Sequence, residues 1–256
     1  MTSVWSRLIE DPSGVVRRSW FKLVSGPARY GLGDGYESER YWSDRFAKYG
    51  QSLKGCGHEG LSESENAELY EQGRAALLET CRRERIDLAA RRTLEVGCGS
   101  GYWARVLHRL GARNYTGLDI TDTLFPVLTK EFPEFSFVKA DICRNPVGGP
   151  YDLVIMIDVL EHIVEEDKLA SALGNIRDAT APGGVFLVAL PFRQRPGRRF
   201  FYLRFWRKED IVANFPGWGI SPELSFRGGS IFALERPAHQ KEIPEECGQE
   251  VTSGDA

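Results

Sequence analysis

Between residues 93 and 190 the chain alternates between two periodicities. Short apolar runs rich in β-branched residues (TLEVG, NYTGLDI, FSFVKADI, GVFLVALP) predict strands. The stretches between them place apolar residues three and four apart and predict helices. These are YWARVLHRLG, closed by Gly111, TLFPVLTKEFP, shortened by its prolines, and DKLASALGNIRDAT, followed by an APGG turn. YDLVIMIDVL starts as a strand and is expected to turn helical near Asp158. Such alternation predicts an α/β fold, a doubly wound parallel sheet with helices on both faces. The unbroken apolar run Leu153–Ile157 suits a strand buried on both sides.

The flanks follow other patterns. Residues 37–50 carry Tyr41, Trp42, Phe46 and Tyr49 at helical spacing, and a glycine-rich turn, KGCGHEG, comes next. Ser62 and Glu65 form a capping-box pattern that opens a helix running to about Arg85. Residues 36–90 are thus expected to form an N-terminal helical cap. Residues 1–35 lack a clear period and are expected to be a loosely ordered arm. Near the other end KEDIVANF predicts one or two helical turns. GISPELSFR and SIFALER, joined at Gly228-Gly229, predict an antiparallel hairpin that closes a seven-stranded sheet. The α/β domain then spans 91–237, and the polar, Glu-rich residues 238–256 are expected to be disordered.

Composition narrows the class. A chain of 256 residues with 42% hydrophobic residues can bury one large core. The net charge of −3 provides no global field for nucleic acid, which makes that partner unexpected. No run of eighteen apolar residues occurs, and the charged start, MTSVWSRLIEDPSG, does not read as a signal peptide. Five cysteines without CxxC spacing favour neither zinc nor a disulfide framework. The expected location is cytoplasmic, without stable membrane insertion.

In open α/β sheets, ligands bind beyond the carboxyl ends of the strands. The loop after the first strand is LEVGCGSG, with Gly97, Gly99 and Gly101 at every second position. No Lys-Ser or Lys-Thr follows, which excludes a phosphate-binding P-loop. Glu95 precedes the glycines, Asp119 ends the second strand and Asp141 ends the third. Asp119 can accept from both hydroxyls of a ribose, or cap the next helix. Asp141 can reach an adenine amino group, or stand as a plain loop acid. An acid-rich rim repels pyrophosphate and suits a ligand bearing an ammonium and a sulfonium.

The ordered set LEVGCGSG, GLDI, KADI, YDLVIMIDVLEHI and LVALP after APGG resembles the class I S-adenosylmethionine-dependent methyltransferases. The resemblance covers about residues 90–235 and implies a Rossmann-like fold, methyl transfer and S-adenosyl-L-methionine as cofactor. It implies that Gly97, Gly99 and Gly101 pass the cofactor's amino-acid part, Asp119 holds its ribose, Asp141 and Ile142 flank its adenine, and Ile157 lies beside it. Glu95, Cys98, Ile120 and Asp158 complete the expected cofactor set, with Cys98 as a small packing residue.

The string DVLEH is similar to that of ubiquinone-pathway O-methyltransferases and, more loosely, to a metal-binding motif of small-RNA methyltransferases. Here the motif has one histidine, and His239 lies in the expected tail, so no metal is expected. His162 is a candidate general base, or a histidine that fixes its loop. Two regions are candidates for holding the acceptor: the aromatic helix around Tyr36, Tyr41, Trp42 and Tyr49, and the basic-aromatic segment 192–208 with Arg193, Tyr202 and Trp206. Arginine forks bind anions and aromatic rings stack on flat groups. The segment also reads as a solvated loop, or as a surface for RNA or a membrane. The expected acceptor is a small molecule or a glycan- or lipid-linked group, anionic or neutral, methylated at oxygen. An RNA or protein methyltransferase, an NAD-dependent oxidoreductase and a non-catalytic cofactor-binding module are the rival readings.

Overall fold

The computed structural model describes residues 11–191 and 196–238. Its centre is a sheet of order β3-β2-β1-β4-β5-β10-β8. The strands are β1 Thr93–Val96, β2 Tyr115–Asp119, β3 Ser136–Lys139, β4 Tyr151–Ile157 and β5 Thr180–Leu190. Two short strands, β6 Gly197–Phe200 and β7 Leu203–Phe205, form a separate ribbon, and β8 Gly219–Ile220, β9 Leu224–Phe226 and β10 Gly229–Glu235 follow. β1 to β5 pair in parallel, and β10 lies antiparallel against β5. β1 and the middle of β4 are buried on both faces, as their unbroken apolar runs require.

The expected seven positions are present, with one refinement. GISPELSFR divides into β8 and β9, which pair with opposite ends of β10. Pro222 lies between them and has no N–H to donate to a continuous ladder. APGG, expected as a separate turn, is absorbed into β5 as an irregularity, where Gly183 takes a φ of +72°.

In the α/β domain the helices at residues 102–109, 125–131, 166–179 and 208–212 are those the periodicity predicts. We number α1 Pro12–Trp20, α2 Gly26–Tyr30, α3 Ser38–Tyr49, α4 Leu53–Cys56 and α5 Glu63–Arg83. They are followed by α6 Tyr102–Arg109, α7 Phe125–Glu131, α8 Glu166–Ala179 and α9 Lys208–Val212. The capping box of α5 forms in both directions. α5 and α6 cover one face of the sheet through Leu77, Leu107 and Ile155. α8 covers the other through Leu173, Ile176 and Val154.

Two regions depart from the sequence reading. Residues 12–30, expected as a loose arm, are helical: Asp11 caps α1 by accepting from the Gly14 N–H, and a π-helical turn, Phe21–Ser25, joins α1 to α2. The π turn changes the winding partway along, so no single 3.6-residue period runs through the segment. Residues 197–205, read as an irregular basic-aromatic stretch, form the β6–β7 ribbon. The two meet at Phe201, which is 1% exposed and packs against Phe21, Tyr30, Tyr36 and Tyr41 at centroid distances of 5.6–6.1 Å.

Phe201→Ala removes the ring that fastens helices 12–30 to the domain. A large-to-small core change of this kind costs about 3–5 kcal/mol. Amide exchange is expected to accelerate across residues 12–30 while β1 and β4 keep their protection, as read by hydrogen-exchange mass spectrometry.

Candidate active site

A cleft of about 1170 Å³, counting its open mouth, lies at the carboxyl ends of β1, β2 and β4. Its floor is the glycine loop. Gly97 and Gly99 have φ of +78° and +48°, and a Cβ on Gly97 would sit 2.4 Å from Val159. The loop's N–H groups are all spent within the protein. Gly97 and Cys98 donate to the Leu118 carbonyl, Gly99 to Asp119 Oδ2 at 2.9 Å, Ser100 to Cys56 Sγ at 3.2 Å, and Gly101 to the Cys98 carbonyl. A phosphate needs such donors free. This loop has none to give, and its one orphaned polar atom is the buried Ser100 hydroxyl.

Asp119 lines the cleft at the end of β2. Its carboxylate accepts from Gly99 and Thr121 N–H groups, one per oxygen, which leaves lone pairs on both oxygens for a diol. Burial raises its pKa to about 6 against the pull of these bonds. Asp141, Ile142, Ile120, Ile157, Cys98 and Asp158 also line the cleft. Asp141 Oδ1 accepts from the Cys143 N–H and so shapes its own turn as well.

Two expected cofactor residues do not line it. Gly101, with φ of +78°, starts α6, and a Cβ there would meet Leu128 at 2.4 Å. Its lack of a side chain serves helix packing. Glu95 lies 2% exposed below the loop, where its Oε2 accepts from the Tyr115 hydroxyl at 2.6 Å. β1 alternates its side chains between faces, and position 95 points into the layer beneath α5 and α6 rather than toward the cleft. Burial raises the Glu95 pKa to about 8.

DVLEH does not start a helix. Asp158 has φ of +55° and pairs with Arg227, itself at φ +47°. Arg227 also lies 4.2 Å over the Tyr70 ring. Two non-glycine residues in the left-handed region, each costing about 1–3 kcal/mol, are thus locked to each other across the cleft edge. Glu161 is buried with one oxygen unpartnered, and burial, with the nearby Asp158 charge, raises its pKa well above the usual carboxylate value. Residues 160–162 form one 3-10 turn that sends His162 into the cleft lining. His162 Nδ1 lies 2.9 Å from the Tyr202 carbonyl. A carbonyl can only accept, so Nδ1 carries the proton and Nε2 holds a lone pair. Burial lowers the imidazole pKa to about 4.

Among the expected acceptor residues, Trp42 lines the cleft and meets His162 edge-on at 4.8 Å. Tyr41 and Tyr202 stack on each other behind it, and Trp206 is core, its Nε1 donating to the Leu160 carbonyl. The aromatic rings of residues 200–206 therefore act as a buttress, with the Tyr202 carbonyl orienting His162. Arg193 lies outside the described residues. The cleft wall also includes Tyr36, from the aromatic region read as a candidate acceptor site, and Phe46, Cys56, Tyr70 and Trp103, which the sequence reading did not assign to the site. Arg45 explains Cys56: it donates to the Lys54, Gly55 and Gly57 carbonyls and so holds the turn that presents the thiol to Ser100.

These features define a nucleoside-binding α/β domain without a phosphate cradle. Residues 62–217 match the family described as Methyltransferase domain, and the chain belongs to that family of S-adenosylmethionine-dependent enzymes. It is 31% identical over 168 residues to a probable S-adenosylmethionine-dependent methyltransferase of Mycolicibacterium smegmatis, covering 57% of this chain and 64% of that one. It is 34% identical over 108 residues to a ubiquinone biosynthesis O-methyltransferase of Methylobacterium, covering 40% and 41%. The chain thus matches less than two thirds of the length of these relatives. Among solved structures it is similar to DhpI in complex with SAM and HEP, with TM-score 0.56 and 21% identity over 78% of this chain and 97% of that one. It is also similar to the [4+2]-cyclase SpnF, with TM-score 0.60 and 17% identity over 79% and 96%.

Glu95→Gln tests whether that acid belongs to the cleft. The native pKa of about 8 exceeds the unfolded value near 4.5. Its contribution to stability is therefore present below that unfolded value and erodes as pH rises through 8. Glutamine abolishes that erosion. The variant is expected to melt higher than the parent at pH 8.5, differ little at pH 5, and bind S-adenosylmethionine unchanged by calorimetry.

Proposed function

We propose that the protein transfers a methyl group from S-adenosylmethionine to an oxygen of a small, ring-bearing acceptor. The observation that carries this reading is the proton on His162 Nδ1, held by the Tyr202 carbonyl, which leaves Nε2 as a base in the cleft lining. The O-methyltransferase activity named for the ubiquinone-pathway relative supports oxygen as the acceptor atom. The Trp42, Tyr36 and Phe46 rings suit a flat group, and Lys168 and Arg144 on the rim suit an anionic substituent.

S-adenosylmethionine, when bound, supplies an electrophilic methyl on a good leaving group. Asp119 would accept from the ribose hydroxyls, and Asp141 with Ile142 would flank the adenine. The unpartnered Ser100 hydroxyl is left for the amino-acid part. The aromatic wall excludes water and holds the acceptor in line. His162 Nε2 would take the proton that the acceptor's hydroxyl gives up on methylation. Burial lowers its pKa to about 4, so the imidazole is in its base form at neutral pH but is a weak base there, and proton uptake is expected to be concerted with methyl transfer.

Asp119→Ala is expected to weaken S-adenosylmethionine binding by about 1.5–3 kcal/mol, the scale of charge-assisted hydrogen bonds. In the parent, affinity should fall as pH drops through about 6, because Asp119 then takes up a proton. Calorimetry across pH 5–8 reads both effects, and an unchanged affinity removes Asp119 from the site. His162→Ala is expected to slow transfer by about 10²–10⁴-fold at saturating acceptor. The acceptor itself is found by following label from the methyl donor into extracts, with mass spectrometry of the product. A full rate in the alanine variant would leave His162 structural.

A further inference from the structure

We propose that helices 12–30 form a docking surface for anionic lipid bilayers. Four of the nine large apolar side chains exposed among the described residues lie on this one segment, the three most exposed among them: Val16 is 67% exposed, Trp20 60%, Leu23 67% and Val24 43%. Val16 and Trp20 lie one α-helical turn apart, and Leu23 and Val24 carry the exposed apolar surface on into the π turn Phe21–Ser25. Side chains pointing inward from the same segment, Phe21 and Tyr30, are those that grip Phe201. The stripe is therefore the outer face of a helix already anchored on its inner face.

Charge selects the occupant. Residues 12–30 contain Arg17, Arg18, Lys22 and Arg29 and no acid, in a chain whose net charge is −3. Arg18 and Arg29 pair with Asp11 and Asp44, whereas Arg17 has no ion-pair partner among the described residues. Lys22 and Arg199 both lie over the Phe200 ring, at 4.9 and 5.5 Å, which extends the basic, aromatic character onto the β6–β7 ribbon. Apolar side chains with a tryptophan, flanked by cations, match the boundary between acyl chains and anionic headgroups. A second copy of the same face would bring like charges together. RNA would leave the aliphatic stripe facing water.

The segment also shares its footing with the cleft. Phe201 touches Tyr36, which lines the cleft, and Tyr41, whose ring meets that of Trp42 at 5.3 Å. Bilayer docking at the stripe thus bears on the aromatic layer that roofs the active site. No helix among the described residues is long and apolar enough to cross a membrane, so the contact is interfacial.

The test is flotation of the full chain with vesicles of three parts phosphatidylcholine to one part phosphatidylglycerol, beside vesicles of phosphatidylcholine alone. Flotation is expected with the anionic vesicles, weakening as salt rises. Trp20 emission, taken as the difference between the parent and Trp20→Phe, should be quenched by brominated acyl chains. The exposed-site double variant Val16→Ser, Leu23→Ser is expected to partition at least about tenfold more weakly. Its affinity for S-adenosylmethionine by calorimetry should be unchanged, which separates this proposal from the reading of the cleft. The proposal is overturned by absence of flotation, by equal flotation of parent and double variant, or by Trp20 emission already shielded from acrylamide without vesicles. A parent dimer in sedimentation equilibrium that the double variant abolishes would assign the stripe to a second copy instead.

Discussion

The cleft depends on one buried carboxylate bridging two strands' loops. Asp119 sits at the end of β2, accepts from Gly99 in the loop after β1 and from Thr121 in its own loop, and remains open to a diol. Burial works against its charge, and the two backbone donors work for it. The remaining loop contacts follow from this tie. Gly97 and Cys98 reach back to the Leu118 carbonyl, and the adjacent Ser100 N–H turns to Cys56 in the helical cap. The Ser43 hydroxyl, bonded to Thr121 at 2.8 Å, brings α3 to the same corner. Sheet, loop and cap therefore converge on a few atoms around one acid.

That convergence decides what the loop can bind. A glycine loop before a helix can donate its N–H groups to phosphate, or it can spend them internally. This one spends them, and its neighbours are acids. The result favours a nucleoside carrying a positive amino-acid tail. Fold similarity alone would not have reached this point: the same architecture carries a [4+2]-cyclase. The donor accounting at residues 97–101 supplies the chemical argument.

Much of the domain was legible because its signals are local. Alternating periods located β1 to β5 and their helices, Ser62 and Glu65 marked the start of α5, and Gly228 marked the terminal hairpin. The errors came where geometry is not local. Glu95 and Gly101 belong to the motif, yet the alternation of side chains along β1 and the helix start at residue 101 turn them away from the cleft. Asp158 could not extend into a helix because its bond to Arg227, from the far end of the chain, holds it left-handed. Residues 12–30 hid their helix behind a π turn.

By itself the sequence determined the sheet class, the position of the glycine loop and the acids at 119 and 141, because strand period, turn chemistry and strand-end position are read within a few residues. Tertiary structure alone decided the tautomer of His162, since the carbonyl that sets it lies forty residues away at Tyr202. It also decided that the aromatic residues of the cap, and not the arginine-rich segment, form the described wall of the cleft. Such choices rest on which distant groups meet in a water-poor space, and no local pattern encodes that meeting.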